Sequence, residues 1–277
     1  MFKVCHCQLI KALRHYRFYI GCIIGLSIIL LNGTYLLDYS KNIGESVSIY
    51  DIYIYSSADR FAMFLCLLGI FVILSDLPFT DSEEIYVIIR TGKFSWVKGK
   101  ILYLILICIL YHLVLIIVTF CFSMPEGYYG NIWSIPLYNL AVTDHYAGEQ
   151  WGLYFPYHYL LTLFSPIAVL FFSFILNCLY SISLGVILFF FTLKYHYIFG
   201  FSSALGLHML NYLIVRMGNS SLLKFSLFGN SIMAYHNYGK NYISKNFPSL
   251  IFSLLLFTII ITITSIFCYH TLEQRNL

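Results

Sequence analysis

Apolar residues run through this chain in long blocks separated by short polar breaks. About 20 largely apolar residues are what a helix needs to cross the hydrocarbon core of a bilayer. Six blocks of that kind can be marked: Phe18–Leu37, Ala58–Leu77, Ile101–Ser123, Pro166–Leu193, Tyr197–Val215 and Pro248–Tyr269. The fourth and fifth are the least clearly divided, because only Ser165-Pro166 and Lys194-Tyr195-His196 punctuate the stretch from Tyr157 to Val215. Proline lacks a backbone donor and disfavours helix in the residue before it, so the fourth block is expected to start at Pro166. Tyr157–Phe164 is then a short lead-in helix or interfacial segment, and Lys194 marks a tight turn. An odd number of spans results if the fourth block is two passes. The first block is too long for the apolar core of a cleavable signal and lacks an A-x-A-like site, which predicts a retained helix.

Two amphipathic stretches interrupt the apolar pattern. In residues 1–17, Phe2, Cys5, Leu9, Leu13 and Tyr16 recur at helical spacing, with Lys3, Lys11, Arg14 and Arg17 largely around that stripe. This predicts an interfacial helix, apolar face towards acyl chains and cations towards headgroups. A disordered basic tail is the plainer alternative. In residues 78–100, Thr80 and Glu83 have capping-box spacing, as do Asp81 and Glu84 in looser form. Acidic residues there complement a helix dipole. Ile85, Ile88 and Ile89 supply an apolar face, Arg90 falls near the end, and Thr91-Gly92 stops the helix. "KFSWVKGK" then re-enters the apolar pattern, with Trp96 expected at interface depth and Lys98 and Lys100 as anchors. The choice is between a defined docking surface and an ordinary interfacial loop.

Composition sharpens the class. Of 277 residues, 60% are hydrophobic and 10% charged, too few charges to coat a water-soluble globule of this length. The chain reads as an all-α integral membrane protein, a single transmembrane domain over residues 1–277. The net charge of +4 is therefore a matter of orientation and does not point to nucleic acid. With the N-terminus in the cytoplasm, ten cations fall inside, including Arg90, Lys93, Lys98, Lys100, Lys194 and Arg275, against six outside. Both termini are then cytoplasmic in the plasma membrane, and 124–157 and 216–247 become outer loops. The loop 124–157 has no Lys or Arg, whereas 216–247 carries four cations against the trend.

Candidate chemistry is sparse. Eight cysteines lie mostly in apolar runs, and Cys5-His6-Cys7 lacks the second half a zinc site would need. Intramembrane enzymes need ionisable groups at membrane depth. Here the polar exceptions are His112, Asn177, His208 and Asn211, the last two on one helix face and all expected to make interhelical hydrogen bonds. No phosphate-binding G-x-x-x-x-G-K-[ST] loop is present, so this chain is not expected to hydrolyse ATP itself, nor to hold a metal or cofactor. The Asn219 glycosylation match matters only in a glycosylating host.

The stretch Arg90, Gly92, Trp96 and Lys100, after the acidic residues Asp81, Glu83 and Glu84, resembles the R-x-G-x-x-x-W-x-x-x-K-like re-entry of membrane subunits of type-2 ATP-binding-cassette exporters. "NIWSIPLYNLAVT" (131–143), "FSPIAVLFFSFILNCLYSISLGVILFFF" (164–191) and "KFSLFGNSIMAYHNYG" (224–239) are similar to segments of such permeases from low-GC Gram-positive bacteria. Ser226-Leu227 departs from the Ser-Pro common there. The loose matches cover most of the chain. The resemblance implies six transmembrane helices, an N-terminal elbow helix and a cytoplasmic coupling helix between helices two and three. It also implies a partner ATPase that hydrolyses ATP, and a second membrane subunit, identical or related. Asp81, Glu83, Glu84, Ile85, Ile88, Arg90 and Gly92 would then couple to the ATPase. The expectation is the membrane subunit of an ATP-driven exporter. The rivals are a non-transporting accessory, immunity or sensor protein and, on weaker grounds, an intramembrane enzyme. An amphipathic or lipidic substrate is suggested by the aromatic outer loops and the lack of buried charge.

Overall fold

A computed structural model describes residues 1–75, 77, 82–143, 151–218, 220–239 and 247–274. Helices α1 (Phe2–Arg14) and α2 (Tyr16–Ile43) are parted at His15, whose ring accepts a hydrogen bond from the Arg17 amide at the start of α2. Then come α3 (Asp51–Ala58), α4 (Arg60–Leu74), α5 (Ser82–Thr91) and α6 (Lys93–Ser123). Short helices α7 (Ile135–Tyr138) and α8 (His158–Leu163) precede the long α9 (Pro166–Lys194) and α10 (Tyr197–Met217). The chain closes with α11 (Ser220–Leu223), α12 (Leu227–Ser231) and α13 (Leu250–Gln274). A two-residue parallel pair, β1 (Val47–Ser48) with β2 (Gly127–Tyr128), ties the loop after α2 to the loop after α6.

Among the described residues, α2, α6, α9, α10 and α13 are long and apolar enough to cross a membrane. This fits an all-α membrane protein. The second expected span differs from its sequence pattern. Within the expected Ala58–Leu77 block, α4 covers Arg60–Leu74, and α3, which the block did not include, precedes it at a 95° bend. Asp59 sits in extended conformation at the break and accepts a hydrogen bond from the Phe61 amide at 2.9 Å, an N-cap that starts a new helix. The 15 residues of α4 reach about 22 Å, short of a roughly 30 Å hydrocarbon core. All eight residues of α3 are buried. A sixth span exists only if this bent pair counts as one. Other boundaries move less. The first span extends from Tyr16 to Ile43, α6 begins at Lys93 rather than Ile101, and α13 runs to Gln274.

The core forms around α9, which packs against α6, α10 and α13. On its other side α2 and α4 meet through glycines. A Cβ at Gly21 would strike the Gly69 carbonyl, and one at Gly69 would strike the Gly21 carbonyl, so these two backbones touch. Small residues give helices in lipid this closeness, where van der Waals packing replaces the hydrophobic drive. Tyr111 of α6 locks the same junction by donating to the Cys66 carbonyl at 2.6 Å.

The helices define two ends. At one, Val4 of α1 lies against Gly99 of α6, Arg17 donates to Ser75 Oγ at 3.0 Å, and Phe94 meets Tyr269 near the end of α13. At the other lie β1–β2, the Lys41–Glu126 ion pair at 2.8 Å and the segments 131–143 and 226–239.

Candidate functional site

The first of these ends gathers the sequence-predicted site residues. Helix α5 is one short amphipathic element. Ile88 is buried, while Tyr86, Val87, Ile89 and Arg90 are exposed. The Gly92 amide donates to the Ile88 carbonyl at 2.8 Å and closes the last turn. Gly92 has φ +81°, a left-handed backbone that side chains disfavour, and its carbonyl then accepts from the Trp96 amide at 3.1 Å to start α6. One glycine thus stops α5 and launches α6. Asp81 lies outside the described residues, as do the side chains of Glu83, Glu84 and Ile85.

The expected anchors divide. Lys98 is exposed, its ammonium 3.9 Å from the centre of the Phe94 ring. Trp96 and Lys100 instead point into the protein. Trp96 is 2% exposed with its ring 5.9 Å from Phe189, and Lys100 is fully buried with its ammonium 5.2 Å from the Trp96 ring. The reason is the approach of α1. At Gly99 no side chain holds α1 off, and Val4 covers the helix face that was expected to meet headgroups. The face of α1 differs too. Val4, Cys5, Gln8 and Ala12 are buried, whereas Phe2 and Tyr16 of the expected stripe are exposed. Cys5 and Cys7 fall on opposite faces, one buried and one exposed, and burial pushes the Cys5 thiol up. No group of three or more metal-binding side chains occurs among the described residues.

Lys93 Nζ lies 3.5 Å from the Glu273 carbonyl, so the C-terminal end of α13 borders the same surface. Arg14, Arg90, Lys98 and Lys194 are also exposed.

The polar residues inside the bundle play distinct parts. His208 bridges three helices. Its Nε2 donates to the Phe64 carbonyl at 3.2 Å, its Nδ1 accepts from the Tyr180 hydroxyl at 2.8 Å, and its ring stacks on Phe64. Asn211 accepts from the Leu227 amide at 2.6 Å, the first of α12, whose N-cap is Ser226. His112 faces Ser181 at 2.9 Å, while Asn177 makes no side-chain hydrogen bond.

Sequence reasoning missed a joint at the opposite end. His236 Nδ1 donates to the carbonyls of Ile232 and Met233 at 3.1 and 3.2 Å. Its Nε2 lies 2.8 Å from Ser253 Oγ, which is also 2.6 Å from Asn230 Oδ1. The one Ser253 proton is shared among these two acceptors and the Ser249 carbonyl at 3.4 Å. All three side chains are buried, and burial pushes the His236 pKa down to about 4 against the upward pull of the two carbonyls. The polar run "GNSIMAYHN" was the available signal, but its partner Ser253 lies 17 residues on.

No protein-family model, curated protein or solved structure matches the chain.

Proposed function

We propose that the chain is the membrane subunit of an exporter driven by a separate ATPase, and that α5 is the coupling helix. The observation that carries this reading is the α5–Gly92–α6 unit. A short amphipathic helix with exposed Tyr86, Ile89 and Arg90 is joined by one glycine to the longest helix of the described bundle. Force applied to α5 would pass along α6 to α9, its packing neighbour. The exposed cations Arg14, Arg90 and Lys98 support placing this end, with both termini, in the cytoplasm. In this reading α1 is the elbow helix, α3 with α4 completes six spans, and a second membrane subunit closes the substrate path. Conformational switching from one state to the other needs about 5.5 kcal/mol of differential binding, which ATP-driven dimerisation of the partner would supply.

The test is purification of the tagged chain in mild detergent, with mass spectrometry and an ATPase assay. A stoichiometric nucleotide-binding subunit that is lost in Glu83→Lys/Glu84→Lys, with the melting temperature unchanged, is the expected result. Retention of that subunit by the double variant would remove α5 from the role. A chain without any ATPase, under conditions that keep a known transporter intact, would favour the accessory reading.

A further inference from the structure

Between α3, α6 and α9 lies a cluster of polar atoms that the coupling scheme does not use. The Tyr53 hydroxyl, both polar side-chain atoms of Asn177 and His112 Nδ1 are all buried, and none has a hydrogen-bond partner. Tyr53, His112 and Asn177 are each 2% exposed or less. The Tyr53 hydroxyl lies beside the Asn177 side chain, and the His112 ring beside the Asn177 backbone. An unpaired buried polar group costs about 1–3 kcal/mol, and several together in one core are rare in native proteins.

The protons can be assigned around this cluster. Ser181 Oγ donates to the Asn177 carbonyl at 2.8 Å, which uses its only proton. The 2.9 Å contact between His112 Nε2 and Ser181 Oγ therefore has the ring as donor. In the uncharged ring, Nδ1 is then a bare acceptor. The cluster thus offers two acceptors, His112 Nδ1 and Asn177 Oδ1, and two donors, Asn177 Nδ2 and the Tyr53 hydroxyl. Its occupant must both donate and accept. A metal cation cannot accept from the donors, and an anion without protons cannot donate to the acceptors. Water does both, with about three hydrogen bonds each in buried sites.

We infer that Tyr53, Asn177 and His112 form a built water site that holds the broken helix α3 against α6 and α9. The joint is therefore solvent-bridged at a level where the surrounding helices are apolar. This inference goes beyond the transport reading and stands without it.

The experiment is water-edited solid-state NMR on the ¹⁵N-histidine-labelled full chain in bilayers, with the His112 signals assigned by their loss in His112→Gln. Magnetisation passing from water to His112 Nδ1, and disappearing in Asn177→Leu, is the expected result. Absence of transfer to His112 in the wild-type chain, while exposed histidines such as His6 respond, would overturn the site. Melting of the same variants gives a second reading. Asn177→Leu should lower the melting temperature by about 5 °C, because Tyr53 and His112 lose their bridge. A rise on that substitution would mean the cluster is dry, and would also overturn the site.

Discussion

Helices α9 and α13 look alike as strings of apolar residues, yet they have opposite surroundings. Seventeen residues of α9 are buried, while α13 buries only Ser253, Phe257, Cys268 and Leu272. Apolarity sets which helices can cross a membrane and says little about which face lipid. The small and polar residues make the distinction. On α9, Ser173, Asn177, Ser181, Ser183 and Gly185 lie on buried faces; Ser181 and Ser183 donate to carbonyls of their own helix, but Ser181 also meets His112 of α6. On α13 the hydroxyls of Thr258, Thr262, Thr264, Ser265 and Thr271 donate to carbonyls of their own helix. Its outward positions are Ile251, Leu255, Ile259, Ile263 and Ile266, which suit acyl chains. In lipid the hydrophobic effect does not pull helices together, so close packing decides the interior.

The largest expected break of this contrast is Gly185→Leu in α9. A Cβ alone would sit 3.1 Å from a Leu104 methyl and 3.2 Å from a Leu74 methyl. The rest of a leucine must displace Leu104 of α6 and Leu74 of α4. Overpacking of this kind costs about 3 kcal/mol. Thermal melting in detergent should show early unfolding or no folded fraction. An unchanged melt would mean that α9 is not the packed centre.

The second effect tests how α13 is held. Besides its packing on α9, α13 is tied through Ser253 to His236 and Asn230. His236 has a folded pKa near 4, against about 6.5 when unfolded. Between these values the unfolded chain binds a proton that the folded chain does not. Stability from this group is therefore present above pH 6.5 and falls as the pH drops towards 4, by at most about 3 kcal/mol. Melting at pH 7.5 and pH 5 should show the loss in the wild-type chain, and His236→Gln should flatten it. A pH dependence identical in the two chains would detach His236 from the effect.

The same contrast explains what could be read from the sequence. The five long spans were legible, because length and apolarity mark them. The short lead-in helix before Pro166 was legible too, since α8 covers His158–Leu163. The start of α4 lies within two residues of the expected start at Ala58, where an aspartate before an apolar run is a recognised helix start, whereas the buried helix α3 before it was not legible. The inward turn of Trp96 and Lys100 was not legible from their own types. It depends on Gly99 and on α1 arriving from elsewhere in the chain. The helical span Ser82–Thr91 and the Gly92 stop follow local chemistry and agree with the spacing. Local caps and stops are written in neighbouring residues, whereas burial is written in pairs far apart.

The smallest effect sharpens the comparison from the lipid side. Thr262 of α13 is exposed and donates to the Thr258 carbonyl at 2.8 Å, within its own helix. Thr262→Val keeps the branched shape and removes only that hydroxyl. The Thr258 carbonyl already belongs to the helix ladder, so no buried group is orphaned. Melting in detergent should move by no more than the equivalent of about 0.5 kcal/mol. Ser181→Val in α9 removes a hydroxyl of the same size from between His112 and the Asn177 carbonyl. It should cost several times more, because a buried imidazole loses its partner. Equal costs at the two positions would mean that α13 packs in the assembled protein as deeply as α9 does, and its isoleucine face would then be an interface and not a lipid surface.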